Sequence, residues 1–175
     1  MNTRIVFQTA RVLCELGMPV LRFNFRGVGR SDGVYDHGQG EQEDALAAMA
    51  HLRQLYPRPL LLAGFSFGAT VVAKLLARSV LAEVELALLL GLPADRGSIP
   101  SRWQWRGPKL MISGDHDEFA SVASLEAFFA ELPEPKQRAW IPGGDHFIAG
   151  QLPQFRETLA ALVLRVLRPQ AGDSL

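Results

Sequence analysis

The sequence holds a single cysteine, Cys14, among 175 residues. An internal disulfide is therefore excluded, and a reducing, cytoplasmic setting is expected. No apolar run approaches the roughly 20 residues of a membrane-crossing helix. Met1-Asn2-Thr3-Arg4 lacks the charged-then-apolar layout of a secretory leader. Neither charge is in excess: 18 Lys and Arg stand against 18 Asp and Glu. That balance argues against a nucleic-acid or anionic-membrane surface, which needs a basic excess. Internal repeats, low-complexity tracts and linkers are also missing. What is present suits a soluble globule, with 48% hydrophobic and 21% charged residues. Residues 1–175 are expected to form one domain.

Short apolar runs alternate with longer amphipathic stretches. Ile5, Val6, Ala10, Leu13 and Leu16 fall at helical spacing, and Gly17 is placed to end that helix. Pro19–Phe25 reads as a strand, followed by a loop around Gly27, Gly29 and Gly33. Glu41, Glu43 and Asp44 favour the positive end of the next helix, whose stripe is Ala45, Ala48, Met49, Leu52, Leu55 and Tyr56. Leu60–Ala63 is apolar without alternation, as a strand covered on both faces should be. A small, apolar helix follows over 67–80. Val84–Leu92, Lys109–Ser113 and Arg138–Ile141 read as further strands. Helices are expected around 122–132 and from Phe155 to Val166, the latter stopped by Pro169. This alternation predicts an α/β fold with a mostly parallel sheet and helices on both faces. Catalytic groups in such sheets gather at the carboxyl ends of strands.

Gly64-Phe65-Ser66-Phe67-Gly68 sits between a strand and a helix. A serine on so sharp a turn has a strained backbone, and small neighbours relieve crowding. Chance would place this glycine-serine-glycine spacing roughly 0.07 times in a chain of this composition. The following helix start offers backbone N–H groups, Phe67's first, to a developing oxyanion. A serine hydroxyl needs a histidine base oriented by a carboxylate. Of the four histidines, His146 alone follows a strand end in the right chain order. His37 precedes Ser66, His51 belongs to a surface helix, and His116 sits inside the acid loop. Asp117 and Asp115 compete for the acid role, with Asp145 third; Asp117 is the choice, because Asp115 comes early enough to bond loop amides instead.

Together these residues resemble the α/β-hydrolase superfamily, in its small lidless bacterial branch similar to dienelactone hydrolases. Arg22–Ser31, Tyr35–Glu41, Gly64–Gly68, Gly114–Asp117 and Asp145-His146-Phe147 carry the resemblance, which covers nearly the whole chain. It implies Ser66 as nucleophile, Asp117 as acid, His146 as base, ester or related acyl hydrolysis, and no cofactor or metal. Arg26–Ser31 lacks the lysine of a phosphate loop and reads as a turn in which Arg26 and Asp32 anchor neighbouring loops. Phe65, Trp103 and Trp105 are the candidates to wall a substrate pocket, although the two tryptophans suit loop anchors equally well. Pro93–Gly107 is too broken by Pro93, Gly97, Pro100 and Gly107 to form a lid.

In the family a further strand precedes the first helix, and its loop supplies the second oxyanion-hole amide. Met1-Asn2 matches only the end of that loop, so the N-terminal strands are expected to be missing. That strand would lie between Pro19–Phe25 and Leu60–Ala63. The expectation is that these two pair directly, or that a homodimer fills the gap, since buried unpaired backbone groups cost about 1–3 kcal/mol each. Two functions follow. One is a serine hydrolase acting on small esters or thioesters. The other is a non-catalytic binding or interaction module with an incomplete oxyanion hole.

Overall fold

The computed structural model describes residues 3–78, 81–96 and 99–167. Met1-Asn2, the expected end of the helix at 79–80, Gly97 and Pro169 lie outside the described residues.

Helix α1 (Arg4–Glu15) buries Ile5, Thr9, Val12 and Leu13 on one stripe. The Thr9 hydroxyl donates to the Ile5 carbonyl at 2.8 Å, which lets a polar side chain sit inside. Gly17, at φ 84°, closes the helix as expected, and Met18 N–H returns to the Leu13 carbonyl at 3.0 Å. Helix α2 (Gly40–Leu55) carries Glu41 and Glu43 in its first turn. Glu41 is fully buried yet satisfied: it accepts from the Asp36 and Gly38 amides at 2.8 and 2.7 Å.

Strands β1 (Leu60–Phe65), β2 (Val84–Leu90), β3 (Lys109–Gly114) and β4 (Lys136–Ile141) form one parallel sheet in the order β1-β2-β3-β4. The inner pair is almost wholly buried, whereas β1, whose Leu60–Ala63 run is expected to be covered on both faces, is buried only at Leu60 and Leu62, because it lies at the edge of the sheet. Helix α3 (Phe67–Leu76) joins β1 to β2, and α4 (Val122–Glu131) joins β3 to β4. Both pack with α2 over one face, around Leu75, Leu89, Met111 and Phe128. Helix α5 (Leu152–Leu167) and α1 cover the other face, around Ile5, Leu88, Ile112 and Phe155. The sheet is an α/β sandwich of three layers, and its strands end together on one edge.

Two expectations fail at the outer edge of β1. Pro19–Phe25 forms no strand, and β1 pairs with β2 alone. The segment is held away from β1 at both ends. Gly17 turns it off α1, and the Arg26 guanidinium grips the Asp44 carboxylate of α2 at 2.7–3.1 Å. Direct pairing of the two segments is therefore not seen. The stripe expected to bury α2 is also half open: Leu55 is 60% and Tyr56 48% exposed, and only Ala45 of the six is buried.

Candidate active site

Ser66 stands between β1 and α3 at φ 54° and ψ −119°, a region few non-glycine residues occupy. The turn closes so tightly that a Cβ on Gly64 would come within 2.2 Å of the Gly68 carbonyl oxygen. Gly68 is different, since its nearest neighbour would be a Phe25 ring carbon at 4.0 Å. The first α3 hydrogen bond runs from Thr70 N–H to the Ser66 carbonyl at 3.1 Å. The Phe67 amide, one residue into the helix, thus donates to no helix carbonyl and belongs to the positive end of the helix dipole.

His146 Nε2 lies 2.8 Å from Ser66 Oγ. Its Nδ1 lies 3.0 and 2.9 Å from the two Asp117 oxygens. The imidazole is 2% exposed and the carboxylate 0%, so this chain of contacts is shielded from water. With the proton assigned to Nδ1, that N–H donates to Asp117, and Nε2 accepts from the Ser66 hydroxyl. Asp117 is further fixed by the Phe119 amide at 2.8 Å.

The two loops that carry acid and base are locked together. The Gly143 amide donates to Asp115 Oδ1 at 2.6 Å, and the His116 amide donates to the Gly144 carbonyl at 3.0 Å. Gly114 makes this approach feasible, because a Cβ there would lie 2.0 Å from the Gly144 oxygen. Asp145 accepts from Phe147 N–H and Ala149 N–H at 3.0 and 2.9 Å and so shapes its own loop. Of the three candidate acids, Asp117 alone touches His146; the other two bond loop amides.

Rings surround the serine. Phe65 and Phe119 lie against the His146 ring at centroid distances of 5.0 and 4.3 Å. Phe147, 49% exposed, packs beside His146 at 5.1 Å, while Tyr35, 57% exposed, packs on Phe67 at 5.4 Å. Phe65 is thus where the sequence suggested. Trp103 and Trp105 are not. Trp103 packs edge-on against Phe128 of α4. Trp105 bonds the carbonyls of Leu76 and Leu81, beyond the C-terminal end of α3 and opposite Ser66. It covers Lys109, whose ammonium is buried, donates to the Gly107 carbonyl and is pushed down to about 8 by desolvation. The tryptophans are anchors because they fill the gap between α3, α4 and the start of β3.

Several supporting residues were missed from sequence. Glu118 accepts the His146 amide at 3.1 Å. Asp95 accepts the Ser121 amide at 2.7 Å, and the Ser124 and Ser121 hydrogen bonds hold its carboxyl below the usual range. That contact ties the β2–β3 connection to the acid loop. No sequence spacing signals either contact, because each joins separate loops. Among the described residues, no cluster of three or more His, Cys, Asp or Glu could hold a metal ion. No described helix is long and apolar enough to cross a membrane.

The pattern of the Alpha/beta hydrolase domain family matches residues 1–154. This chain belongs to that family. A solved alpha-beta serine hydrolase homologue from Coxiella burnetii is 35% identical, with a TM-score of 0.85 over 93% of this chain and 77% of that one. A serine hydrolase described as without lid, from Xanthomonas campestris, is 34% identical with a TM-score of 0.80, over 94% and 74%. An uncharacterized protein of Rickettsia prowazekii is 30% identical over 91% of this chain and 70% of its own length. The family and its serine hydrolase homologues support hydrolase activity and a lidless site. In keeping with that, the described part of the β2–β3 connection forms no helix, and its Gln104 and Trp105 amides bond the end of α3 instead of lying over Ser66.

Proposed function

We propose that this protein is a serine hydrolase that cleaves small ester or thioester substrates through an acyl-enzyme. The observation that supports it is the unbroken relay Ser66–His146–Asp117, with every contact at or under 3.0 Å. Ser66 Oγ attacks the carbonyl carbon while its proton passes to His146 Nε2. The carbonyl electron pair moves onto oxygen, where the Phe67 amide stabilises the charge. Collapse of that intermediate expels an alkoxide or thiolate, which takes the proton from His146. Water then attacks the acyl-serine, His146 removes its proton, and the acid leaves with Ser66 restored. Asp117 holds the tautomer and stabilises the imidazolium. Phe65, Phe67, Phe147 and Tyr35 give the acyl group a shallow apolar surround.

A fluorophosphonate probe tests this reading. Wild type is expected to be labelled at one site, and Ser66→Ala to be silent. A folded wild type that resists the probe would leave the binding-module reading in its place.

A further inference from the structure

Phe119 meets the relay twice. Its amide donates to Asp117 Oδ1 at 2.8 Å, the same oxygen that His146 Nδ1 approaches at 3.0 Å. Its ring lies against the imidazole at a centroid distance of 4.3 Å and a tilt of 40°. The Arg96 guanidinium sits over that same ring, 4.3 Å from its centre. We propose that Phe119 is a positioning residue for His146, and that Arg96 braces it from the β2–β3 connection. The role rests on the hydrolase reading, to which it adds what sets the plane of the base.

Two hydrogen bonds fix the imidazole, one at each nitrogen. They leave the ring free to tilt about the line that joins Nδ1 and Nε2. Such a tilt swings Nδ1–H and the Nε2 lone pair off their partners, and hydrogen bonds weaken steeply with misalignment. A flat ring in contact limits the tilt in a way that neither hydrogen bond can. Phe65 leans on the imidazole too, at 5.0 Å, but it also packs on a hydrophobic core. Among the described residues Phe119 packs on neither core, so folding alone does not account for an aromatic ring there. Its backbone is pinned from the β2–β3 side. The Asp95 amide donates to the Phe119 carbonyl at 3.4 Å, and the Ser121 amide donates to the Asp95 carboxylate at 2.7 Å. With that carboxylate committed, the Arg96 charge is left to the aromatic face, which attracts cations. Guanidinium, ring and imidazole thus form a stack that runs from an exposed cation to a buried base.

The test reads kcat and KM for p-nitrophenyl acetate, the rate at which a fluorophosphonate labels Ser66, and the melting temperature. Phe119→Leu keeps the amide on Asp117 and removes only the flat ring. It should lower kcat and the labelling rate by about 10²-fold and leave KM unchanged. Phe119→Tyr, which restores a ring, should recover most of that loss. Arg96→Gln should lower kcat by about two- to fivefold, the worth of an exposed cation–π contact. In the Phe119→Leu background the same change should cost nothing more, because the ring through which it acts is gone. Wild-type kcat in Phe119→Leu, with Ser66 still labelled, overturns the positioning role and leaves the hydrolase reading standing. A loss that appears in KM, or an Arg96→Gln effect that adds in full to that of Phe119→Leu, assigns the pair to substrate contact and overturns it as well. So does a kcat that merely follows the melting temperature across the three variants. A folded wild type that the probe does not label overturns both readings.

Discussion

The two ends of β1's surroundings differ sharply in how their polar groups are treated. At the C-terminal edge, Ser66, Asp115, Asp117, Asp145 and His146 each have a named partner at 3.1 Å or less. Along the lateral edge of β1, no backbone pairing to a strand on the side away from β2 is present among the described residues, and the facing Val20–Phe23 segment forms no strand. The difference teaches where the sheet's specificity resides. The rim that carries Ser66, Asp117 and His146 is assembled by loops that lock onto each other, while the sheet is open beside it. Variants at the rim should therefore act on chemistry or local strain, and variants at the open side on stability.

The largest effect is expected at Gly64. A Cβ there meets backbone at 2.2–2.7 Å, which no rotamer change relieves, so Gly64→Ala should lose both the elbow and soluble fold. Gly68→Ala has room and should melt within about 1 kcal/mol of wild type, the alanine being a better helix former. Comparative thermal melts decide it; equal losses from both variants would mean that the turn is less tight than the geometry requires.

The next contrast lies between the two aspartates of one loop. Asp117→Asn keeps the shape but removes the charge that fixes the His146 tautomer, and kcat should drop by about 10⁴. Asp115→Asn loses a 2.6 Å bond from the Gly143 amide and should cost about 1–2 kcal/mol in stability, with kcat within about tenfold. Paired kinetics and melts would break the distinction if Asp115→Asn proved the more inactive enzyme.

These contacts show how far the sequence could be read. Periodicity and apolar runs located the nine elements of the described residues, most plainly α1, β2 and β3, which bury the stripes or runs that their spacing advertises. The elbow and the Ser66, Asp117, His146 order were legible for the same reason: each falls at a strand end. Pro19–Phe25 was misread since its Val20, Phe23 and Phe25 look strand-like, while pairing depends on a neighbour the spacing cannot show. Trp103 and Trp105 were misplaced because residues between two strands can lie at either end of the sheet. The Arg26–Asp44 grip was half seen, with Arg26 recognised as an anchor but its partner not.

The Arg26–Asp44 grip supplies the pH-sensitive contrast. The Arg26 guanidinium holds the Asp44 carboxyl below its usual range, first through their side-chain hydrogen bonds. A lowered carboxylate stabilises the fold at pH above its unfolded value of about 3.9 and loses that contribution as pH falls through the folded value. Asp44→Asn should cost about 2 kcal/mol at neutral pH and flatten the stability decline below pH 4, with catalysis at saturation little changed. A variant whose acid denaturation follows the wild-type curve would show that the pair contributes nothing.

The smallest effect concerns acyl length, and it joins the two regions. Each methylene that enters apolar surroundings gains about 0.8 kcal/mol, close to fourfold in kcat/KM. Around Ser66 the acyl group would meet Phe65, Phe67, Phe147 and Tyr35, and Tyr35 and Phe147 are about half exposed. Trp103 and Trp105 lie beyond the opposite end of α3, so they add no wall over Ser66. The gain should therefore stop after butyryl, giving nearly equal kcat/KM for butyryl to octanoyl p-nitrophenyl esters and no jump at a lipid interface. A cavity of about 1410 Å³ along the free edge of β1 offers a route to a different outcome, since Gly64, Phe65 and Gly68 line it too. A steady fourfold climb per methylene that Ala63→Arg abolishes would mean that acyl chains pass under the elbow into that space. The rim and the open edge would then be one site, and the separation drawn between them would fall.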